Sequence, residues 1–286
     1  MISKTEKDIF NLEDFDKEKV KNILISFIQN EIEKFGFKKV VVGLSGGIDS
    51  ALSCTLATLA LGKDNVIPVF MPYKTSSKES YKHAKLLCEK LDLKLNIIDI
   101  TPQIDMYFEK VEKIFPTEKL KLRKANKMAR ERMSILYDIA YENNALVLGT
   151  SNKSEILLGY FTRWGDQAND LNPIGDLYKT QVWELSKYLN IPEEIIKKPP
   201  SADLWVGQTD EKEIGVPYKV LDKILYGYVD LRISKEKLYN YFERNIVNKI
   251  ISKVNFSQYK RLLPIICKIS GRCIDKEFLY ARDIFH

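Results

Sequence analysis

Four short apolar runs stand out along the chain, and stretches of helical periodicity separate them. They are Val40-Val41-Val42-Gly43-Leu44, Val66-Ile67-Pro68-Val69-Phe70-Met71, Leu95-Asn96-Ile97-Ile98-Asp99-Ile100 and Ala145-Leu146-Val147-Leu148-Gly149-Thr150. Near-continuous β-branched and aliphatic runs of this length predict strands buried on both faces, not the alternating strands of a half-exposed sheet. Pro68 argues mildly against a central place for the second run, because proline has no N–H to give a ladder. Upstream, Val20, Ile23, Leu24, Phe27, Ile28, Ile32 and Phe35 recur at helical spacing, and Gly36 sits where a C-terminal cap belongs. Further helices are predicted over about 49–61, 77–91, 103–112 and 118–142. Strands alternating with helices in this way imply an α/β fold, a doubly wound parallel sheet flanked by helices. Ligands are then expected at the C-terminal ends of the strands. Beyond residue 200 the chain reads as helical and polar, and residues 1–15 as a loosely held polar arm.

The first run leads into Ser45-Gly46-Gly47-Ile48-Asp49-Ser50, a glycine turn between a strand and a helix start. Free backbone N–H groups and the positive end of a helix dipole make such a place an anion pocket. Glycines leave no Cβ atoms to block a ligand's approach. The phosphate loop G-x-x-x-x-G-K-[ST] is absent. In its place stand the hydroxyls of Ser45 and Ser50 and the carboxylate of Asp49. A carboxylate beside a phosphate pocket is repulsive unless a cation lies between them, so Asp49 points to Mg²⁺. The bland alternative is an ordinary turn. The stretch resembles the pyrophosphate loop of the N-type ATP pyrophosphatases, which split ATP into AMP and pyrophosphate.

Composition narrows this little. The 286 residues carry 45 basic and 39 acidic side chains, a net charge of +6. That suits an anionic substrate and is too weak to argue for nucleic acid. The N-terminus lacks the apolar core of a signal peptide, and no apolar run reaches membrane-spanning length, so a cytoplasmic protein is expected. Cys54, Cys88, Cys267 and Cys273 form no C-x-x-C pair, and the histidines are His83 and His286.

The second half carries the more specific motifs. Gly149-Thr150-Ser151-Asn152-Lys153-Ser154-Glu155 is followed by Gly159-Tyr160-Phe161-Thr162-Arg163-Trp164-Gly165-Asp166, then Asp170, Pro173-Ile174 and Leu177-Tyr178-Lys179-Thr180. Later come Lys198-Pro199-Pro200-Ser201-Ala202-Asp203-Leu204, Gln208-Thr209-Asp210-Glu211 and Gly215. Together with the loop, these closely resemble the NAD synthetase family over about residues 18–264. The resemblance implies an adenine nucleotide alpha hydrolase-like fold with a helical C-terminal part. It implies one synthetase domain with an arm at 1–15 and an extension at 267–286. The implied reaction is a ligase step: ATP adenylates the carboxylate of deamido-NAD, and ammonia displaces AMP to give NAD.

By the same resemblance, Gly43, Leu44, Ser45, Gly46, Gly47, Ile48, Asp49 and Ser50 cradle the ATP phosphates, with Thr150, Lys179 and Ser201 as further ATP contacts. Asp49 and Glu155 ligate Mg²⁺; Asp49, Lys179 and Asp170 form the catalytic set. Arg130, Arg163, Asp170, Tyr259 and Lys260 fall where the family binds deamido-NAD. The family pattern also implies a homodimer built on the long helices, with no nucleic acid or membrane partner. Bland alternatives stand beside these roles. Glu155 and Lys179 suit a solvated surface, Arg130 an ion-paired helix face, and Tyr160, Phe161 and Trp164 a loop anchor. Asp203 suits a simple turn cap. Two departures are visible: many members carry Lys at the place of Arg163 and His at the place of Tyr259. Ammonia, not glutamine, is the expected nitrogen source, because the stretch before residue 43 is too short for a glutaminase domain.

Overall fold

The computed structural model describes residues 9–201, 203, 205 and 207–269. Ala202, Leu204, Cys273, His286, the first half of the arm and most of the extension lie outside the described residues.

Strands β1 (Lys39–Gly43), β2 (Val66–Phe70), β3 (Asn96–Ile97) and β4 (Ala145–Leu148) form one parallel sheet in the order β3-β2-β1-β4. Around it run α1 (Lys17–Lys34), α2 (Ile48–Leu61), α3 (Lys78–Leu91), α4 (Thr101–Ile114) and α5 (Leu120–Glu142). Then follow α6 (Lys153–Leu158), α7 (Lys179–Tyr188), α8 (Glu193–Lys197), α9 (Asp210–Ile214) and α10 (Tyr218–Val229). The chain closes with α11 (Lys235–Leu238), α12 (Arg244–Phe256) and α13 (Gln258–Arg261).

The unbroken apolar runs are explained by two-sided burial. Val40, Val42, Leu146 and Leu148 face a core shared with Ile28 and Ile32 of α1, Leu52 and Leu56 of α2, and Val182 and Leu185 of α7. Val41, Val69 and Val147 face the other way, onto Ile104 and Phe108 of α4 and Met128, Met133 and Leu136 of α5. A strand read by alternation would bury one of these sets and wet the other. A third cluster joins α10 and α12 through Leu221, Leu225, Val247 and Ile250.

Three expectations change. Pro68 lies on an interior strand. Its carbonyl faces the β3 side, where the Asn96 side chain donates to it at 3.2 Å, and the β2–β3 ladder begins only at Val69. The missing N–H therefore falls where no ladder partner stands. The third strand is two residues long, although Ile98 N–H and Ile100 N–H still donate to Phe70 and Pro72 carbonyls at 3.0 and 2.9 Å. The arm is not loose where it is described. Phe10 and Leu12 are buried, and the Phe10 ring meets Tyr241 and Phe242 edge-on with centroids 5.4 and 5.3 Å apart. Two apolar side chains in a polar stretch suffice to pin it.

The order of strands reverses between β1 and β4, since β2 and β3 lie to one side of β1 and β4 to the other. Chains leaving such a pair diverge, and a crevice opens at their C-terminal ends. Gly43 and Leu148 end these two strands.

Candidate active site

The turn after β1 is braced from within. Ser50 Oγ accepts Ser45 N–H at 3.2 Å and donates to the Gly47 carbonyl at 3.0 Å, while the two serine hydroxyls lie 3.0 Å apart. Both hydroxyls thus hold the loop shape. The two glycines serve different ends. Gly46 has φ +77°, and a Cβ there would lie 2.1 Å from the Ser80 carbonyl oxygen, so the approach of α3 and not of a ligand excludes a side chain. At Gly47 a Cβ would meet only Ser45 Oγ, at 3.4 Å. Gly47 is also the N-cap of α2 and supplies no side-chain acceptor, which leaves first-turn N–H groups open to the crevice.

After β4, Asn152 caps α6 and links the strand ends. Its Oδ1 accepts Glu155 N–H at 3.0 Å, its N–H donates to Glu155 Oε2 at 3.2 Å, and its Nδ2 donates to Asp49 Oδ1 at 2.9 Å. Lys179 opens α7, and its Nζ donates to Asp49 Oδ2 and lies 3.8 Å from Glu155 Oε1. The side chains of Asp49, Glu155 and Lys179 are 18%, 16% and 2% exposed. Asp210 joins from α9, held by Tyr160 Oη–H at 3.2 Å and Tyr218 Oη–H at 3.3 Å. Three carboxylates thus surround one ammonium. Burial, and next the Asp49 charge, push the Glu155 carboxyl well above the usual carboxylate range. Burial pulls the Lys179 ammonium down, but Asp49, Glu155 and Asp210 outweigh it and raise its pKa.

One cavity meets this cluster, and a larger one shares part of its wall. The first, of about 140 Å³, is lined by Asp49, Ser50, Glu155, Lys179 and Asp210. The other, of about 470 Å³, runs between the β1–β2 ends and α5, along Val69, Phe70, Met71, Met133 and Leu136. Thr150 and Ser201 line both, and Leu44 only the larger. Asp166 and Lys198 also line both. The quoted motifs contain Asp166, Lys198, Asn152 and Asp210 without giving any of them a role, and Arg132 lies outside those motifs. Asn152 had a readable signal in the N-x-x-E spacing of a capping box. Arg132 had none. Two residues from Arg130 on one helix, it turns inward and donates from Nε to the Met71 carbonyl at 2.9 Å.

The residues expected around deamido-NAD form a second, outer group. Lys260 Nζ donates to the Gly159 and Phe161 carbonyls at 2.7 and 2.9 Å and lines the larger cavity. Arg163 donates to the Leu262 carbonyl at 3.1 Å, and its guanidinium lies 4.9 Å from the Trp164 ring and 5.9 Å from that of Tyr259. Arg130 Nε donates to the Arg163 carbonyl at 3.2 Å. Arg130, Arg163 and Tyr259 line neither cavity. Asp170 stands apart from both groups: it accepts Val147 N–H at 2.7 Å and Tyr137 Oη–H at 3.3 Å, and lines neither cavity. Asp203 does more than cap a local turn: it accepts Ser77 N–H at 3.0 Å and Ser80 Oγ–H at 2.7 Å, tying its loop to the start of α3, and lines the larger cavity. Among the described residues no group of three or more His, Cys, Asp or Glu is gathered as a metal site.

The chain as a whole has similar relatives. The NH3-dependent NAD(+) synthetase of Trichlorobacter lovleyi is 52% identical over 92% of this chain and 95% of its own. Among solved structures, the NH3-dependent NAD synthetase from Campylobacter jejuni, in complex with the nitrate ion, superposes with a TM-score of 0.75. It is 36% identical over 89% of this chain and all of its own. The NMN synthetase from Francisella tularensis gives a TM-score of 0.79 and 32% identity, over 89% of this chain and 99% of its own. Residues 20–264 match NAD synthase as a family, a span that takes in the glycine turn, the capped start of α6, Lys179 and the outer arginines, and the chain belongs to that family.

Proposed function

We propose that the chain amidates deamido-NAD with ammonia at the expense of ATP, giving NAD, AMP and pyrophosphate. The observation that carries this reading is the buried Lys179 between Asp49 and Glu155, beside the open first turn of α2. A carboxylate does not react with ammonia directly, because its oxygen is a poor leaving group. In the first step a carboxylate oxygen of deamido-NAD attacks the α-phosphorus of ATP, the α–β P–O bond breaks and pyrophosphate leaves. In the second, ammonia attacks the carbonyl carbon, the C–O bond to AMP breaks and a proton is lost.

The α2 N-terminus and Gly47 suit phosphate oxygens, and Lys179 suits charge growing on the departing pyrophosphate. The larger cavity, walled by β2 and α5 side chains, suits a base and ribose. Lys198, Ser201, Asp203, Trp205 and Gln208 wall it as well, and Lys198 Nζ donates to Ser80 Oγ at 2.8 Å while Asp203 accepts Ser77 N–H at 3.0 Å. These walls would limit the access of water to an acyl adenylate. Mg²⁺ fits the residues present: the donors are hard oxygens, and three carboxylates against one ammonium leave negative charge in excess. Asp49 and Glu155 would hold it, and it would neutralise phosphate charge.

The mononucleotide is the second reading, favoured by the likeness to the Francisella NMN synthetase. Against it, the NH3-dependent NAD(+) synthetases are more alike in sequence, with 52% identity over 92% of this chain against 32% over 89% for the NMN synthetase. We also propose a homodimer, supported by the exposed Leu122, Tyr137 and Tyr141 on α5, the longest helix. Residues 18–264 would act as one synthetase unit, and the proposed location is cytoplasmic. No helix among the described residues is long and apolar enough to cross a membrane.

Isotope transfer tests the chemistry. With ¹⁸O in the carboxylate of deamido-NAD, one labelled oxygen should appear in AMP. Label in pyrophosphate, or released to water with none in AMP, would contradict an adenylated intermediate.

A further inference from the structure

Asp222 on α10 is fully buried, and the reaction proposed above makes no use of it. Its hydrogen-bond partners, Ser154 and Thr180, carry no charge, an unfavourable setting for a carboxylate unless its donors are well placed. Ser154 Oγ–H donates to Oδ1 at 2.6 Å, while Thr180 N–H and Oγ1–H donate to Oδ2 at 2.8 and 2.9 Å. Ser154 Oγ in turn accepts the Lys179 N–H at 3.0 Å. The partners are telling: Ser154 precedes Glu155, and Thr180 follows Lys179.

The Lys179 and Thr180 N–H groups open α7, and first-turn donors have no acceptor within their own helix. Asp222, 42 residues away from Thr180 in sequence, supplies the missing negative cap, directly for Thr180 and through Ser154 for Lys179. The contacts are short and reach the main chain, so they set the position of the helix start itself. Asp230, at the end of α10, is a useful contrast. It ties the same two helix starts, but through side-chain tips, Lys153 Nζ at 2.7 Å and Tyr178 Oη.

We propose that Asp222 is a positioning residue for the reacting centre: by holding the Ser154 hydroxyl and the first turn of α7, it fixes where Lys179 meets Asp49 and Glu155. This rests on the reading of that cluster as the reacting centre. A misplacement of about 1 Å at such a centre is enough to lower turnover about a hundredfold.

The test compares wild type with Asp222→Ala, Asp222→Asn, Ser154→Ala and Asp230→Asn, by crystal structures of the ligand-free proteins and by steady-state AMP formation. In Asp222→Ala, Lys179 Nζ should leave hydrogen-bond reach of Asp49. Its kcat should fall about a hundredfold, with the KM for deamido-NAD within about threefold of wild type. Ser154→Ala should lose about tenfold in kcat, and Asp222→Asn, which keeps an acceptor for Thr180, should fall less than Asp222→Ala. Asp230→Asn should lower Tm and keep kcat within about twofold. Lys179 still on Asp49 in Asp222→Ala, or an equal loss of kcat in Asp230→Asn, would reduce Asp222 to a fold clamp and overturn the proposal. If Asp222→Ala does not fold, wild-type kcat in both Ser154→Ala and Asp222→Asn overturns it as well. A wild type inactive on deamido-NAD would count against the reaction, while the Lys179 position would still decide the role of Asp222.

Discussion

The inner and outer groups of candidate residues are held in opposite ways. Asp49, Glu155 and Lys179 are tied to one another and to Asn152 by side chains drawn from three helix starts. Arg130, Arg163 and Lys260 instead give their donors to main-chain carbonyls, and Tyr259 is 57% exposed. Water or a ligand can replace a carbonyl partner at the rim with little loss, whereas nothing replaces a buried counter-charge. The inner group is therefore preorganised before any ligand arrives, and the outer group is adjustable. Loss of an inner residue should act on turnover, loss of an outer one on affinity for one substrate.

The largest effect follows from removing the one cation. Lys179→Met leaves buried carboxylates facing each other, so stability should drop by about 3–5 kcal/mol. Turnover should fall by roughly a thousandfold. Asp49→Asn and Glu155→Gln should fold and lose turnover on a similar scale; full activity of both at ordinary Mg²⁺ would break the distinction between the groups. Next come the two glycines. Gly46→Ala should destabilise the chain markedly, because backbone stands 2.1 Å from the new Cβ. Gly47→Ala should fold, since its Cβ would meet only an ordinary contact at 3.4 Å, yet raise the KM for ATP. Thermal melts and ATP titrations of the pair distinguish these, and equal melting temperatures would show that α3 does not constrain the turn.

Arg163→Ala and Lys260→Ala should raise the KM for deamido-NAD by about tenfold while that for ATP stays within about twofold. Arg163→Lys should lie between, because the charge survives and the planar fork does not. Equal weakening of both substrates would merge the inner and outer groups. The smallest effect concerns Asp222. Burial raises its pKa from 3.8 to about 6, partly offset by the Ser154 and Thr180 hydrogen bonds, so ionisation is harder in the fold than in the unfolded chain. The folded protein loses stability from this group as pH rises from about 4 to 6, and Asp222→Asn removes that loss. The difference in Tm, variant minus wild type, should therefore rise across the window; a flat difference would mean an ordinary carboxyl.

Much of this contrast was legible in the sequence, unevenly. The strands were, because two-sided burial leaves an unbroken apolar run such as Val40-Val41-Val42. The nature of the turn was also legible, since Gly-Gly followed by Asp and Ser brings hydroxyls and a carboxylate to a helix start. What it hid was partnership across distance. Nothing local marks Asp222, and the block Gln208-Thr209-Asp210-Glu211 marks Asp210 without its role; their meaning comes from Ser154, Thr180, Tyr160 and Tyr218 in other elements. Arg130 and Arg132 look alike in Arg130-Glu131-Arg132, and only packing shows that one meets the Arg163 carbonyl and the other the Met71 carbonyl. The motif carried Asp170 into the catalytic set, while the cavities are lined by Asp166. The arm misled because two apolar residues, Phe10 and Leu12, were outnumbered by polar neighbours.

The most direct measurement is AMP formation by the purified protein with ATP, Mg²⁺ and an ammonium salt, with deamido-NAD or nicotinate mononucleotide as the acceptor. AMP, pyrophosphate and NAD should appear in equal amounts with the dinucleotide, at a rate that rises with pH as ammonium loses its proton. The mononucleotide should be much the poorer acceptor. AMP formation without any acceptor, or faster turnover of the mononucleotide, would contradict the account.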